Sequence, residues 1–344
     1  MRVESLLERN EIIFLSEGEC RQVGLTMEKA IDIIEDVFRA QGLGRTWVPD
    51  KTSVRFDLGL VFEKFVEGHQ HFTAMPGYVG SIDTVGIKWI GQNWQNTAKH
   101  GLPSLIGMII LNDPETVMPL AIVGAGWLTA MRTGAASAVA AKYLGRRDSK
   151  TLCIIGAGYQ SMFQLDALDK VLDLDEVRIV DIKSDAMENF KKGMTKRTDL
   201  TIVPEPNREK AVRGSDVVVT CTVVDIPMVK RDWIKEGVLI LAIGSYPNLD
   251  YDVVKSMDKI VVDHLLQTRH AGELSRLFSQ NLISERDIYG ELGDIVVGKK
   301  KGRESDEDIL MVPIGMASED LAVAHETYKL AKARGMGQKL AWTW

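Results

Sequence analysis

Residues 150–181, KTLCIIGAGYQSMFQLDALDKVLDLDEVRIVD, leave this chain little choice of fold. Residues 151–155 (TLCII) form a short, nearly continuous apolar run, as expected of a parallel strand buried on both faces. Gly156-Ala-Gly158 follows at once, then a helical run from about Gln160 with Met162, Phe163, Leu165, Ala167 and Leu168 among its apolar positions. Residues 177–180 read as a second strand ending at Asp181, 25 residues after the first glycine. This is a βαβ unit with the marks of a dinucleotide site. Gly156 permits the tight turn, Gly158 lets backbone approach a pyrophosphate, and the helix N-terminus offers free N–H groups to the phosphates. An acid ending the second strand can accept hydrogen bonds from ribose hydroxyls, and its charge favours NAD over NADP. The pattern is incomplete, because Ser161 stands where a third glycine is usual, and Lys183 nearby keeps NADP open.

The rhythm continues downstream. Helices over 185–195 and 206–212 alternate with strands over 200–203, 216–220, 238–242 and 259–263, which predicts a doubly wound parallel sheet. Upstream the pattern differs. A strand over 11–15 and a helix capped by Thr26 precede stretches over 48–56, 59–66, 71–79 and 84–91 that read as antiparallel strands, continued by 104–111 and 119–123. Residues 128–144 are rich in alanine and read as a close-packed helix. Residues 319–335 read as an amphipathic helix (Leu321, Ala324, Tyr328, Ala331) that returns to the first domain and makes it discontinuous. The expected division is 1–127 with 319–344, an α+β substrate-binding and dimerisation domain, and 128–318, a Rossmann-type NAD(P)-binding domain. A length of 344 residues and a hydrophobic content of 45% suit two such cores.

A net charge of −6 gives no reason to expect nucleic acid or an anionic membrane as partner. Cys20, Cys153 and Cys221 form no metal or redox motif, which fits a reducing compartment. The charged opening residues do not resemble a signal peptide, and no apolar stretch is long enough to span a bilayer; a soluble, cytoplasmic protein is the expectation. Residues 299–308, rich in lysine and acids, read as a solvated loop.

Three cations stand in unusual places. Lys88 lies in the apolar strand GIKWIG, Lys51 follows Pro49 near a strand start, and Arg132 sits in the alanine-rich helix just before Thr133. A lysine in an apolar strand is costly unless it is paired or lines a cleft. A cationic pocket for a carboxylate is one reading of the three; snorkelling lysines and a surface arginine are the other. Thr220-Cys-Thr222 and Ala242-Ile243-Gly244-Ser245 end two predicted strands, where ligands of open α/β sheets lie. His69, His71 and His100 lack a carboxylate or cysteine cluster, so no metal site is expected. Asp113, Asp225 and His270 read as loop residues, catalytic or merely turn-forming.

Met131-Arg-Thr-Gly-Ala-Ala-Ser-Ala138 followed by Gly156-Ala-Gly-Tyr-Gln160 resembles the ornithine cyclodeaminase/μ-crystallin family over nearly the whole chain. Met75-Pro76, Gly86-Ile-Lys88-Trp89, Gly101-Leu-Pro-Ser104, Ala271-Gly-Glu-Leu274, Gly302-Arg303 and Gly315-Met-Ala-Ser-Glu-Asp320 carry the same resemblance. It implies a homodimer whose subunits each have a Rossmann domain and a substrate and dimerisation domain, with the active site between them. By this resemblance Lys51, Lys88 and Arg132 match ligands of the substrate carboxylate, and Ile314 lies beside the substrate. Ser104, Arg132, Thr133, Gly156, Gly158, Tyr159, Gln160, Asp181, Thr222, Ala242, Ile243 and Gly244 fall on the cofactor side.

Departures from the family pattern narrow the chemistry. Tyr246 stands where cyclodeaminases place an acid, Thr73 where they carry a glutamate, and Pro313 replaces a late-motif serine. Without the two carboxylates the proton handling of ornithine cyclisation lacks its groups. The resemblance then implies an NAD(P)-dependent oxidoreductase acting on the Cα–N bond of a small L-amino acid or 2-imino acid, with Lys88 as proton donor and Tyr246 assisting. A cyclodeaminase using NAD catalytically and a crystallin-like NAD(P)- and ligand-binding protein are the alternatives.

Overall fold

The structure is a computed structural model that describes residues 11–55, 70–244 and 246–342. The strand expected over 59–66, and His69 and Ser245, lie outside the described residues.

In chain order the strands are β1 (Glu11–Leu15), β2 (Thr46–Trp47), β3 (Thr52–Arg55), β4 (Gln70–Val79), β5 (Thr84–Asn93), β6 (Leu105–Asn112), β7 (Pro119–Gly124) and β8 (Thr151–Ile155). They continue with β9 (Glu176–Val180), β10 (Thr201–Pro204), β11 (Val217–Thr220), β12 (Leu239–Ala242), β13 (Lys259–Val262), β14 (Gly290–Glu291), β15 (Ile309–Val312) and β16 (Gln338–Ala341). They form two sheets. The chain divides into one compact unit of residues 1–33, 44–132 and 316–344 and a second of residues 34–43 and 133–315.

The first unit is a mixed sheet in the order β16-β1-β7-β6-β5-β4-β2, with β3 paired to β4. Residues alternate between its two faces. Met75, Lys88 and Ile109 are cross-strand neighbours on one face, and the helix Ala317–Arg334 lies against β4, β5, β6 and β7. The contact is close: a Cβ on Gly77 would lie 2.9 Å from the Ala317 Cβ. Residues 317–324 of this helix are all buried, so its first turns are not amphipathic as the sequence pattern suggested. The small pair Gly77 and Ala317 allows that seating, and His325, further along the helix, shares a hydrogen bond with Thr84 of β5 at 2.7 Å. The other face of the sheet is apolar and open. Val54, Phe72, Trp89, Ile106 and Met108 occupy neighbouring register positions on it and are exposed, with Phe72 and Trp89 stacked at 5.8 Å between ring centroids.

The second unit is an all-parallel sheet in the order β10-β9-β8-β11-β12-β15-β13-β14. β11, β12, β13 and β15 are buried at every position, which is why they read as apolar runs rather than alternating ones. Each fully buried Leu, Ile or Val contributes about 1.5–3 kcal/mol relative to exposure. The chain runs outward from β8 through β9 to β10, then returns to β11 on the other side of β8. The carboxyl ends of β8 and β11 are therefore the topological switch point.

The expected doubly wound sheet is present, with two strands the sequence pattern did not show: β15 inserts between β12 and β13, and the short β14 pairs with β13 at the edge. The loop before it is not simply solvated. Arg303 donates from Nε to the Leu144 carbonyl at 2.7 Å, Lys259 pairs with Glu307 at 2.8 Å, and the buried Asp308 accepts from the Gly237 amide at 2.8 Å. Its charges are structural ties that seat β15.

Candidate active site

At the switch point, the loop Gly156-Ala-Gly158 connects β8 to the helix Tyr159–Leu168. Gly156 has φ +107°, and a Cβ there would lie 2.4 Å from the Cys221 carbonyl oxygen of the β11 loop. Only glycine fits. Gly158 is different: a Cβ would meet nothing within 4 Å, so the backbone there faces open space. That is the surface a pyrophosphate needs, just ahead of the N-terminus of the helix. Ser161 is fully buried and donates to the Gly158 carbonyl at 2.5 Å, bracing the turn in place of a third glycine. Asp181, directly after β9, accepts from the Ala157 and Lys183 amides, both at 2.9 Å. The carboxylate is thus held beside the glycine loop, where a ribose would lie. These residues fit a dinucleotide.

Thr222, Ala242, Ile243 and Gly244 lie at the carboxyl ends of β11 and β12, in the same sheet. Thr222 donates to the Asn248 side chain at 2.9 Å. Tyr246 is half-buried in the loop after β12, and Ile314 follows β15 and packs against the core beneath that sheet. Tyr159 is exposed and packs edge-on against Phe163 at 5.0 Å, and Gln160 is half-buried beside it. Thr133 begins the second unit's part of the helix Gly126–Leu144, and its carbonyl accepts from Ser137 at 3.2 Å.

The first unit holds the charged groups. Lys88 is 1% exposed, and its Nζ lies 2.6 Å from Asp320 Oδ2. Arg132, 6% exposed, reaches the same carboxylate through Nε at 3.0 Å and Glu319 through Nη1 at 2.9 Å. Both acids are fully buried in the first turn of the helix Ala317–Arg334, where the helix dipole favours negative charge. Burial drives the Lys88 pKa down to about 8, Asp320 opposes that shift, and Arg132 and Lys51 add to it. Burial works to raise the Asp320 pKa, but Arg132 and Lys88 outweigh it and hold the carboxyl below its ordinary value. Lys51 stands just before β3, half-buried and near enough to act on Lys88. Ser104 starts the turn into β6, half-buried, its hydroxyl 3.4 Å from that of Thr97.

The structure thus brings Lys51, Lys88 and Arg132 into one charged cluster, and adds two members the sequence reading had not assigned: Glu319 and Asp320. Their signal was present. A lysine buried in an apolar strand requires a counter-charge, and two adjacent acids just ahead of the apolar run 321–324 are the natural source. Other candidates separate from the cluster. His71 lies edge-on to Trp94, and His100 is exposed at the end of the short helix Asn96–His100. Among the described residues no group of three His, Cys, Asp or Glu is placed to hold a metal. Asp113 caps a turn by accepting from the Glu115 and Thr116 amides, and Asp225 pairs with Arg276. Thr73, at the position of the cyclodeaminase glutamate, shares a hydrogen bond with Ser53 at 2.9 Å. Cys153 is core, its thiol pushed up to about 12 by burial. Among the described residues no helix is long and apolar enough to cross a membrane.

Comparison with known proteins agrees with this arrangement. The chain is 36% identical over 335 residues to the alanine dehydrogenase of Archaeoglobus fulgidus, covering 96% of this chain and 98% of that one. A solved archaeal alanine dehydrogenase dimer with bound NAD superposes with a TM-score of 0.88 at 36% identity, over 97% of this chain and all of that one. The Δ1-pyrroline-2-carboxylate reductase of Thermococcus litoralis, solved with NADH and L-proline, gives a TM-score of 0.89 at 33% identity, over 96% of this chain and all of that one. The model of one family, ornithine cyclodeaminase/mu-crystallin, matches residues 17–335. With that match spanning a glycine loop at a sheet's switch point and a buried Lys-Asp-Arg-Glu cluster, the chain belongs to the ornithine cyclodeaminase/mu-crystallin family.

Proposed function

We propose that this protein is an NAD-dependent oxidoreductase that reduces the Cα–N double bond of a small 2-imino acid, or runs the reverse oxidation of the L-amino acid. The observation that carries this reading is the buried Lys88, joined through Asp320 to Arg132, with a pKa lowered to about 8. A lysine so placed holds a proton at neutral pH and gives it up readily. Gly156, Gly158 and Asp181 would hold the cofactor, with Tyr159, Gln160, Thr222, Ala242, Ile243 and Gly244 beside it and Ser104 and Thr133 as further contacts. The bound cofactor supplies the hydride that goes to Cα. Lys88 delivers the proton to the nitrogen, with Tyr246 assisting, and Asp320 steadies the ammonium before transfer. Arg132 and Lys51 attract the carboxylate, and Ile314 offers an apolar wall.

Pyruvate with ammonia, a cyclic ketimine and an imino diacid all suit a pocket that carries Lys51, Lys88 and Arg132. The open apolar face carrying Phe72, Trp89 and Met108 supports a homodimer formed through this sheet. Three free cysteines, none in a disulfide, suit a cytoplasmic site of action.

The test follows reduced-nicotinamide absorbance with NADH or NADPH and, in turn, pyruvate plus ammonia, oxaloacetate plus ammonia, and cyclic ketimines. NADH consumption with one of these partners is expected. Ammonia release from ornithine without net NADH consumption would instead mark a cyclodeaminase. Binding of NADH and ligand without turnover would mark a binding protein. Sedimentation of the wild type and of Trp89→Glu tests the dimer; a wild type that sediments as a monomer overturns it.

A further inference from the structure

Two loops at the carboxyl ends of β11 and β12 are tied together by one buried asparagine. Asn248 is fully buried. Its Oδ1 accepts from the Thr222 hydroxyl at 2.9 Å, and its Nδ2 donates to the Val224 carbonyl at 2.7 Å. Its backbone carbonyl accepts from the Met228 amide at 2.6 Å. A Cβ on Gly244 would lie 2.9 Å from Asn248 Oδ1 and 3.0 Å from the Thr222 carbonyl, so the second loop closes on the first only because Gly244 has no side chain.

The asparagine is itself held from a third segment. Glu273, 2% exposed, follows β13 and reaches the β12 loop from below. One of its oxygens accepts from the Asn248 amide at 2.7 Å and the other from the Leu249 amide at 2.8 Å. The Glu273 carboxylate sets where Asn248 stands, and Asn248 sets where Thr222 and Gly244 stand.

We propose that Glu273 is a positioning residue for the nicotinamide-side loops: through Asn248 it fixes Thr222 and Gly244 in the conformation that accepts the dinucleotide. This rests on the dinucleotide reading of the switch point given above. The arrangement has a built-in dependence on pH. Burial raises the Glu273 pKa to about 7, the Asn248 and Leu249 amides oppose that shift, Arg276 also lowers it, and Asp225 raises it. The charged carboxylate offers a strong acceptor to each of the two amide donors; on protonation one oxygen becomes a hydroxyl and accepts more weakly. As pH falls through about 7, one amide is held less tightly and the clasp loosens.

Two measurements test this on the full-length protein. The first is amide hydrogen exchange of residues 246–249 without ligand, expressed as protection factors so that the intrinsic pH dependence of exchange cancels. The second is NADH affinity by fluorescence titration between pH 6 and 8. In the wild type, protection of Asn248 and Leu249 and NADH affinity both fall as pH drops through about 7. In Glu273→Gln an amide N–H₂ faces one of the two donors, so protection is low across this range, and NADH binds about tenfold more weakly than to wild type at pH 8 with little dependence on pH. Thr222→Val removes one tie from the asparagine but leaves Glu273 in place, so its affinity is lower while the dependence on pH persists. Wild-type protection and affinity that are flat across this range, or Glu273→Gln binding NADH as tightly as wild type at pH 8, overturn the proposal. A wild type that binds no NADH overturns the dinucleotide reading instead, and exchange in the ligand-free protein still reports on the clasp.

Discussion

In the second unit the dinucleotide loop is built from backbone and from missing side chains. Gly156 is excluded from any other identity by the Cys221 carbonyl, Gly158 leaves its surface bare, and the Asp181 carboxylate beside the loop is held by two amides. In the first unit the cluster around Lys88 is the reverse. Four ionisable side chains from β5 and two helices are buried against each other, and the backbone serves only as scaffold. The loop can bind a phosphate because the bare surface at Gly158 lets a ligand approach the backbone at a helix N-terminus. The cluster can move a proton because burial brings the lysine pKa within reach of neutrality and a carboxylate keeps it from going lower. The first kind of site tolerates a change of side chain where the space is open. The second does not tolerate the loss of one partner, because the remaining charge is stranded in the interior.

Five experiments press on that contrast. The largest effect is expected from Lys88→Met, which removes the proton donor: turnover should fall about 10²–10⁴-fold while NADH still binds, as judged by rate and by fluorescence titration. Retained turnover would remove Lys88 from the chemistry. Asp320→Asn should cost about 3–5 kcal/mol of stability, read from denaturant melts, because Lys88 and Arg132 lose a shared buried carboxylate.

The pH profile sharpens the same point. Reduction requires Lys88 protonated, so its rate should fall as pH rises through about 8, and the reverse oxidation should gain over the same range. Asp320 holds that pKa up, so in Asp320→Asn the break moves to lower pH. Lys88 also carries a stability signature. Its folded pKa lies below its ordinary value of 10.5, so between about 8 and 10.5 the unfolded chain binds the extra proton. Its contribution to stability rises with pH across that window. A wild-type rate unchanged between pH 7 and 9 would break the assignment.

The glycines should behave unlike the charges and unlike each other. Gly156→Ala drives a Cβ into a carbonyl at positive φ and should cost more than about 1 kcal/mol of stability. Gly158→Ala meets nothing in the protein, so the melting temperature should hold while NADH binding weakens. Equal effects of the two on stability would sink the distinction. Smallest is Asp181→Ser, which should shift the NADPH-to-NADH preference about fivefold, the size of a partly exposed charge contact. An unchanged ratio would show that Asp181 does not discriminate.

What could be read ahead of the structure follows from this difference. The βαβ unit, the switch-point glycines and Asp181 lie within one segment of consecutive residues, so spacing alone exposes them. The strand β15 was missed although ILMV is an apolar run, because a stretch of charges precedes it; those charges turn out to be ties of Arg303 and Asp308 to the sheet. Lys88 was conspicuous as a lysine in an apolar strand. Its partners were not, since Asp320 lies 232 residues further along the chain.

The sequence by itself determined the parallel sheet, the glycine loop and the presence of a second, α+β unit, because these depend on local periodicity and on backbone sterics. Only the tertiary structure decided that the helix Ala317–Arg334 lies on β4 to β7 and delivers Glu319 and Asp320 to Lys88 and Arg132, and that Glu273 reaches back to hold Asn248. The physical reason is one of range. A turn or a strand is specified by neighbours in the chain, whereas a buried charge is specified by whichever partner the fold brings within a hydrogen bond's length.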